Sequence, residues 1–563
     1  MNKSKIIREY LESLKEDKEL DAIFPTLLEA MNFRIVTTPQ NSKGCDQYGK
    51  DVVAVGRGED GKIYRWYFEL KGNAAKDITN STFNMADGVR ESLLAAKDVP
   101  YIDSAIPSFN KLPHKIVFVH NGILHENAKV QYEQFIQANF GEDEFERWDI
   151  DKLVGLFATH LFDECMMSDD SSYKMLKKIL LMCDAPGWKE DDVRTLTKQL
   201  CGQCNVDNKR QVISTLAGLK LILSMIYEVC HEAKNLLPAK RASEAMVLLT
   251  WGWILKNYLD GKKYVIETFD GLVDLHLTIY QEYLDKLRRI ARTYKGLYMR
   301  EGEIEKVMYP IRCYDYLADI LYYYNAVRRW QSRKMVQIMQ DEMMRVIEMN
   351  SGFDVLLLDT QSIPLLMLVR FLFVNNCSEE NTEKFVRYIN KVLTNLMRRK
   401  RHNNMFPELY GNRKACAKSL YEKSDEYVDA SSLLLVVLME IIAWLGYEEW
   451  YKLLREEILK AKVNLQVAYP IPDDELEVKM FEHRLMNEMC VETNIQLPET
   501  LDEFKKTFVK RYDSIDLRTE KTQFGYLTIL AHKYYQTDMF PDYVNLGFLK
   551  PLKEGTRDEY SEC

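Results

Sequence analysis

The chain has 563 residues, which is too long for one ordinary hydrophobic core and predicts roughly two to four domains. Its apolar fraction of 47% and charged fraction of 29% are typical of a globular protein and exclude a wholly disordered or fibrous chain. The formal net charge of −9 excludes a protein that coats nucleic acid through bulk charge, so any contact with nucleic acid has to come from local patches.

The cysteines and the chain start indicate a cytoplasmic setting. Eleven cysteines without a repeating spacing are typical of reduced thiols, and the charged first residues do not look like a signal peptide. The most apolar run, residues 433–445, is shorter than the roughly 18 residues that a membrane span requires. We therefore expect a cytoplasmic protein with no membrane partner. Cys201 and Cys204 have metal-ligand spacing but lack a second pair, so buried ordinary cysteines are the alternative.

The first part of the chain alternates helix and strand patterns. Apolar residues at helical spacing over 6–31 predict one or two helices, and Asp60-Gly61 between two alternating apolar runs predicts a β-hairpin over 49–72. The other predicted elements are strands at 33–37, 115–120 and 145–150, and helices at 85–96, 126–138 and 153–162. This order predicts an α/β layered domain over residues 1–165.

The rest of the chain has long helical patterns and no convincing strand alternation. We predict an all-α region over residues 166–470, which senses a signal or forms oligomers, and a smaller helical segment over 471–563. Pro470 and Pro472 mark the break between them.

The predicted hairpin carries three charged residues that are suited to catalysis. Asp51 stands near the start of its first strand, and Glu69 and Lys71 stand at the end of the second. Strand side chains alternate faces, so Glu69 and Lys71 point the same way while Leu70 points to the other face. Two carboxylates and one ammonium on one side of a sheet supply what metal-assisted phosphodiester hydrolysis needs.

The pattern GxD, then a hairpin, then ExK resembles the PD-(D/E)XK, or restriction-endonuclease-like, superfamily, and the order of elements is most similar to its Mrr-type branch. Residues 27–33 and 147–153 resemble that branch's first helix-to-strand step and its closing strand-to-helix step. The resemblance implies a restriction-endonuclease-like fold in which Asp51, Glu69 and the backbone carbonyl of Leu70 bind Mg²⁺ or Mn²⁺. It gives Lys71 the role of orienting or deprotonating the attacking water.

The resemblance also implies an assisting acid on the first helix. Counting back from Leu27 and Leu28 places it at Asp21, with Glu29 or Glu19 as alternatives. This position departs from the family's usual glutamate.

Two sets of basic and aromatic residues are candidate contacts to nucleic acid. Arg65 and Tyr67 share the face of Glu69 if the strand is regular. The densest basic run contains Arg398, Arg399, Lys400 and Arg401 and is able to bind a phosphate backbone. The alternative for the run is a solvated helix end, where cations are favourable.

The sequence therefore predicts a metal-dependent endonuclease that prefers DNA to RNA, and the architecture resembles a regulated effector of bacterial anti-phage defence. The helical region would bind a partner protein or form a homo-oligomer. The alternative is a catalytically inactive nuclease-fold scaffold, or a nucleic-acid-binding protein that acts through its helical region.

Overall fold

The computed structural model describes residues 3–14, 16–39, 48–58, 60–72, 76–86, 88–103, 106, 109–141, 143–160, 170–183, 185, 187–299, 301–373, 377–420, 425–471, 473, 475–482, 489–509 and 517–537. The chain divides into two compact units: residues 1–247 with 259–276, and residues 248–258 with 277–563. The predicted boundaries after residues 165 and 470 do not coincide with this division.

The first unit begins with a mixed α/β region, as predicted. A π-helical turn, Glu16–Leu20, lies between its first two helices. The elements in chain order are α1 (Lys3–Ser13), α2 (Asp21–Ala30), β1 (Arg34–Thr37), β2 (Val52–Arg57), β3 (Ile63–Lys71), α3 (Asn80–Asn84), α4 (Val89–Asp98), β4 (His114–His120), α5 (Glu126–Asn139), β5 (Phe145–Trp148) and α6 (Ile150–His160).

The five strands form one mixed sheet in the order β1-β2-β3-β4-β5. The pairs β1–β2 and β2–β3 are antiparallel, whereas β3–β4 and β4–β5 are parallel. The predicted hairpin of β2 and β3 is confirmed, and its turn uses Gly61 at φ 79°. This left-handed conformation costs glycine little, which is why Asp-Gly is a strong hairpin signal.

Helices cover both faces of the sheet. On one face Tyr67 and Phe118 pack into a core with residues of α3, α4 and α5. On the other face Phe68 contacts Phe24 of α2, with 5.2 Å between ring centroids, and also Trp148 of β5. Burial on both faces explains the nearly continuous apolar run of β4, since a central strand of this kind has no solvent side.

Further helices complete the first unit: α7 (Asp170–Met182), α8 (Glu190–Gln203) and α9 (Lys209–Glu232), followed by the first parts of α10 (Leu237–Lys256) and α11 (Lys263–Ala291). Helix α9 packs against α1. By length and composition α9 alone, among the described residues, would suffice to cross a membrane, but 61% of its apolar window is buried inside the fold. Such burial is typical of a core helix.

The second unit is mostly helical. It contains α12 (Glu305–Val327), α13 (Arg333–Met349), α14 (Ser362–Phe373), α15 (Glu379–Asn403), α16 (Arg413–Lys418), β6 (Ser431–Ser432), α17 (Leu434–Leu445), α18 (Glu448–Ala461), β7 (Asn464–Pro470), α19 (Leu476–Glu482), β8 (Cys490–Ile495), α20 (Leu501–Val509) and α21 (Tyr526–Tyr535).

The prediction that everything after residue 165 is all-α is wrong in one respect. Strands β6, β7 and β8 form a three-stranded sheet in which β6–β7 is parallel and β7–β8 antiparallel. This sheet could not be predicted from the sequence, because β6 has only two residues and four consecutive residues of β8 are exposed. These strands are held by backbone hydrogen bonds and have little of the alternating burial that a strand prediction requires.

Candidate catalytic site

The β2–β3 hairpin brings Asp51 and Glu69 together, as the sequence predicts. Val53 pairs with Tyr67, and the same antiparallel register continued by two residues sets Asp51 opposite Glu69. The Leu70 backbone N–H donates a hydrogen bond to Asp51 Oδ2 at 2.7 Å. Asp51 precedes β2 directly, so this bond fixes the carboxylate at the end of β3.

Lys71 lies between two carboxylates. Its Nζ is 2.7 Å from Glu69 Oε1 and 3.7 Å from Glu16 Oε1. The other oxygen of Glu16 accepts a hydrogen bond from the Gly72 backbone N–H at 3.0 Å. We call Glu16, Asp51, Glu69 and Lys71 the carboxylate–lysine cluster.

The acidic residue beside Lys71, apart from Glu69, is Glu16. The sequence instead predicts an assisting acid at Asp21, with Glu29 or Glu19 as alternatives. Asp21 begins α2, and Glu29 is exposed near the end of that helix. The count from Leu27 back to Asp21 stays within the regular helix α2. Glu16 lies before that helix, at the start of the π-helical turn Glu16–Leu20, which winds more residues into one turn than an α-helix does. No feature of the sequence alone signals that turn.

The cluster concentrates negative charge in a buried place. Glu69 is 2% exposed. Burial and the nearby Glu69 raise the pKa of Asp51 to about 8, although the Leu70 N–H and Lys71 oppose the shift. Burial disfavours the charge of Lys71, but Glu69 and Glu16 outweigh it and hold the pKa of that ammonium above its usual range.

The donor set fits a hard divalent cation. Carboxylate oxygens are the ligands that Mg²⁺ takes. The pKa of Asp51 is raised first by burial and then by the nearby charge of Glu69, and a bound cation would offset that charge. Within the described part of the chain, no group of three or more His, Cys, Asp or Glu side chains stands close enough to hold a metal. A metal at the cluster would therefore take Asp51 and Glu69 and complete its shell with backbone oxygen and water.

A second lysine, Lys50, directly precedes Asp51 and was not predicted as a site residue from the sequence. Its buried Nζ donates to the carbonyls of Tyr48 at 3.1 Å and Ala95 at 3.5 Å. Burial lowers the pKa of Lys50 to about 8, with Glu69 opposing the shift. Gly49 has a φ of 67°, and a Cβ there would lie 2.0 Å from the carbonyl oxygen of Ser92. Gly49 and Lys50 are thus packed tightly on α4. In the sequence, only the position of Lys50 next to Asp51 could have marked it as a residue of the site.

Arg65 and Tyr67 lie on the face of Glu69, as predicted, but other groups cover them. Tyr67 is 2% exposed and belongs to the core. Its hydroxyl and the Arg65 guanidinium both donate to the Tyr101 carbonyl at 3.4 Å, and the guanidinium also lies 5.6 Å from the Phe109 ring centroid. This burial corrects the expectation that the Tyr67 side chain contacts nucleic acid.

The basic run 398–401 occupies the end of α15, where consecutive side chains take different partners. Arg399 donates to the Leu356 carbonyl and to the Tyr427 hydroxyl, Lys400 to Asn404, and Arg401 pairs with Glu457 at 3.6 Å. Arg398 donates to Asn395 at 2.8 Å. Arg398 and Arg399 line one cavity of about 360 Å³, but the partners described for the four cations are all different. Their contact with nucleic acid stays a prediction.

The pair Cys201 and Cys204 spans the end of α8. Cys201 is buried and Cys204 is half-buried, and burial raises the pKa of the Cys201 thiol to about 12. A raised pKa of this kind is typical of an inert buried thiol.

Comparisons of the chain with protein-family models, with curated proteins and with solved structures gave no match. The carboxylate–lysine cluster is therefore the feature of the chain from which a function can be inferred.

Proposed function

We propose that the protein is a metal-dependent nuclease of the PD-(D/E)XK type that hydrolyses phosphodiester bonds, with DNA preferred over RNA. The observation that carries the proposal is the carboxylate–lysine cluster at the end of the central hairpin, where Lys71 lies 2.7 Å from Glu69 and the Leu70 N–H fixes Asp51. The mixed sheet with helices on both faces supplies a rigid support for such a site.

Asp51 and Glu69 would hold Mg²⁺ or Mn²⁺, which when bound supplies a Lewis acid for the scissile phosphate and lowers the pKa of its bound water. Lys71 acts as a cation, because Glu69 and Glu16 hold its pKa above the usual range and keep it protonated. Its ammonium stabilises negative charge that develops on the phosphate. Glu16 positions Lys71 through the ion pair and fixes Gly72 through its second oxygen.

The regulated role in anti-phage defence is part of the proposal. The net charge of −9 makes bulk attraction of DNA weak, so a partner or a second copy of the chain would deliver the substrate through the helical region. This requirement would also restrict cleavage to an activated state in the cytoplasm.

The alternative is a nuclease-like scaffold without activity. The observation in its favour is that no group of three metal-ligating side chains forms among the described residues. Metal titration separates the two functions, because the scaffold would show no Mg²⁺ or Mn²⁺ binding that depends on Asp51 and Glu69.

The test is cleavage of plasmid DNA, single-stranded DNA and RNA with Mg²⁺ or Mn²⁺, together with metal titration by calorimetry. We expect Glu69→Gln and Lys71→Met each to lower the cleavage rate by about 100-fold or more, since each removes a group that acts in the transition state. Lys62→Met, on the same hairpin but exposed and paired with Asp60, is the matched control and should leave the rate unchanged. Equal cleavage by Lys71→Met and the wild type would show that the site is elsewhere.

A further inference from the structure

The first unit contains a cleft of about 530 Å³ that the proposed nuclease chemistry does not use. Helix α1 lines it with Glu9 and Glu12, α9 with Arg210 and Lys220, and α11 with Glu267. Its size falls within the roughly 300–1,000 Å³ of sites for small molecules. The cleft is large enough for a molecule of nucleotide size.

The acidic residues of the cleft are already paired. Glu9 accepts from Lys220 at 2.6 Å, Glu12 lies 3.6 Å from Arg8, and Glu267 lies 3.6 Å from Lys263. Arg8 and Lys263 are not among the lining residues. Each glutamate of the cleft thus has a basic neighbour, although Arg8 also pairs with Asp151.

Two cations of the cleft have no such partner. In the described part of the chain neither Lys76 nor Arg210 forms an ion pair with a carboxylate, and Lys76 Nζ donates to the backbone carbonyl of Glu12 at 3.3 Å. Ile213 and Ala217 of α9 supply an apolar wall beside them. Two basic side chains without a carboxylate partner among the described residues, next to an apolar wall, suit a molecule that carries both phosphate and a ring.

The walls of the cleft continue directly into the carboxylate–lysine cluster. Glu12 lines the cleft, and Glu16, four residues later, pairs with Lys71. Lys76 lines the cleft five residues after Lys71, and its carbonyl oxygen is 2.9 Å from His120 Nδ1. His120 is the β4 residue in register with Lys71. A molecule that shifts either wall would therefore move a direct neighbour of Lys71.

We propose that this cleft binds a small phosphorylated molecule of nucleotide size through Lys76 and Arg210. Its binding alters the position of Lys71 through Glu16, and this second part rests on the proposed nuclease function. The cleft is thus an effector site that is separate from the substrate site.

The binding test uses the full chain with EDTA, so that no divalent metal joins a ligand to the cluster. Adenosine triphosphate, adenosine monophosphate and inorganic pyrophosphate serve as probes in calorimetry and in thermal unfolding. We expect binding of at least one probe, weakened about 10-fold or more in Arg210→Ala and in Lys76→Met, since each charge-assisted contact contributes at least about 1.4 kcal/mol. Lys129→Ala, an exposed lysine of α5 paired with Glu126, is the matched control and should bind like the wild type.

Unfolding midpoints of the unliganded variants that match the wild type show that the fold is intact. Failure of all three probes to bind at millimolar concentration, or equal affinity in the wild type and both variants, would overturn the site. Binding of a single-stranded oligonucleotide but of none of the probes would also overturn it and would make Arg210 part of a nucleic-acid surface. If a probe binds but leaves the cleavage rate of the metal-loaded enzyme unchanged, the coupling to Lys71 is wrong while the nuclease proposal stands.

Discussion

Two groups of charged residues that the sequence shows, Asp51 with Glu69 and Lys71 on a β-hairpin and the basic run on a helix, have opposite structural outcomes. The carboxylate–lysine cluster converges, with Lys71 between Glu69 and Glu16. The basic run at the end of α15 diverges, with Arg399 directed to Leu356 and Tyr427 while Arg401 pairs with Glu457. Density of charge in a sequence is thus a poor guide to a site unless the local structure brings the side chains together.

The difference follows from the two backbone geometries. On a strand, residues two apart point to the same face, and hairpin pairing adds a third residue opposite them. On an α-helix, consecutive residues are turned by about 100° from one another, so four adjacent cations spread around the axis. We therefore expect the residues of the carboxylate–lysine cluster to act as a unit, and the members of the basic run to act singly.

The largest effect is expected at Asp51. An ordinary aspartate has a pKa of 3.8, whereas the pKa in the folded protein is about 8, so the folded chain retains a proton that the unfolded chain releases. The contribution of Asp51 to the free energy of unfolding should therefore fall as pH rises from 4 to 8. Asp51→Asn cannot ionise and should be more stable than the wild type at pH 8 by about 1 to 3 kcal/mol, with no such gain at pH 4. Denaturant unfolding at both pH values measures this.

The same carboxylate should make metal binding dependent on pH. Below pH 8 Asp51 has to release its proton to bind Mg²⁺, so affinity should rise by about tenfold per pH unit and level off above pH 8. Asp51→Asn should lose about 100-fold in affinity together with this dependence. Asp98→Asn, which removes an exposed carboxylate of α4, is the control for both measurements. A variant at Asp51 that is less stable than the wild type at pH 8 would show that the Leu70 hydrogen bond outweighs the charge repulsion.

The contrast also explains how much the sequence could predict. The hairpin, its turn and the pairing of Asp51 with Glu69 follow from alternation and from Asp60-Gly61, which are local signals. Glu16 depends on a π-helical turn, and the packing of Gly49 on Ser92 depends on α4, far along the chain. The burial of Tyr67 under Tyr101 is likewise a tertiary contact. Patterns within one element were sufficient for the triad, whereas its supports come from contacts between elements.

A smaller effect is expected at Glu16, because it acts through Lys71. Glu16→Gln keeps the hydrogen bond to Gly72 possible but removes one of the two charges beside the ammonium. We expect the cleavage rate to fall about tenfold, less than for Lys71→Met, since Glu69 remains 2.7 Å from Lys71. The pKa of Lys71 should also be lower than in the wild type, because it loses one source of its increase.

Glu29→Gln is the matched control for Glu16, since it changes an exposed glutamate of α2 that the sequence also offered as the assisting acid. It should leave both the cleavage rate and the pKa of Lys71 unchanged. If Glu29→Gln slows cleavage while Glu16→Gln does not, the sequence register was right and the arrangement around Lys71 does not describe the active enzyme.

The smallest effect is expected from the basic run of α15. A phosphate contact contributes about one unit to the slope of log affinity against log salt concentration, and removing it reduces the slope by that amount. Arg398 and Arg401, like Lys400, do not contact Leu356 or Tyr427, and they bind Asn395 and Glu457 within the chain. The double variant Arg398→Ala/Arg401→Ala should therefore change DNA affinity by less than about threefold and the slope by less than one unit.

Arg399→Ala, by contrast, should lower the unfolding midpoint, because it leaves a buried carbonyl and the Tyr427 hydroxyl without their donor. A slope reduced by about two units in the double variant would mean that these cations act together on a phosphate backbone, and that a helix end is able to form a unit as effective as the hairpin.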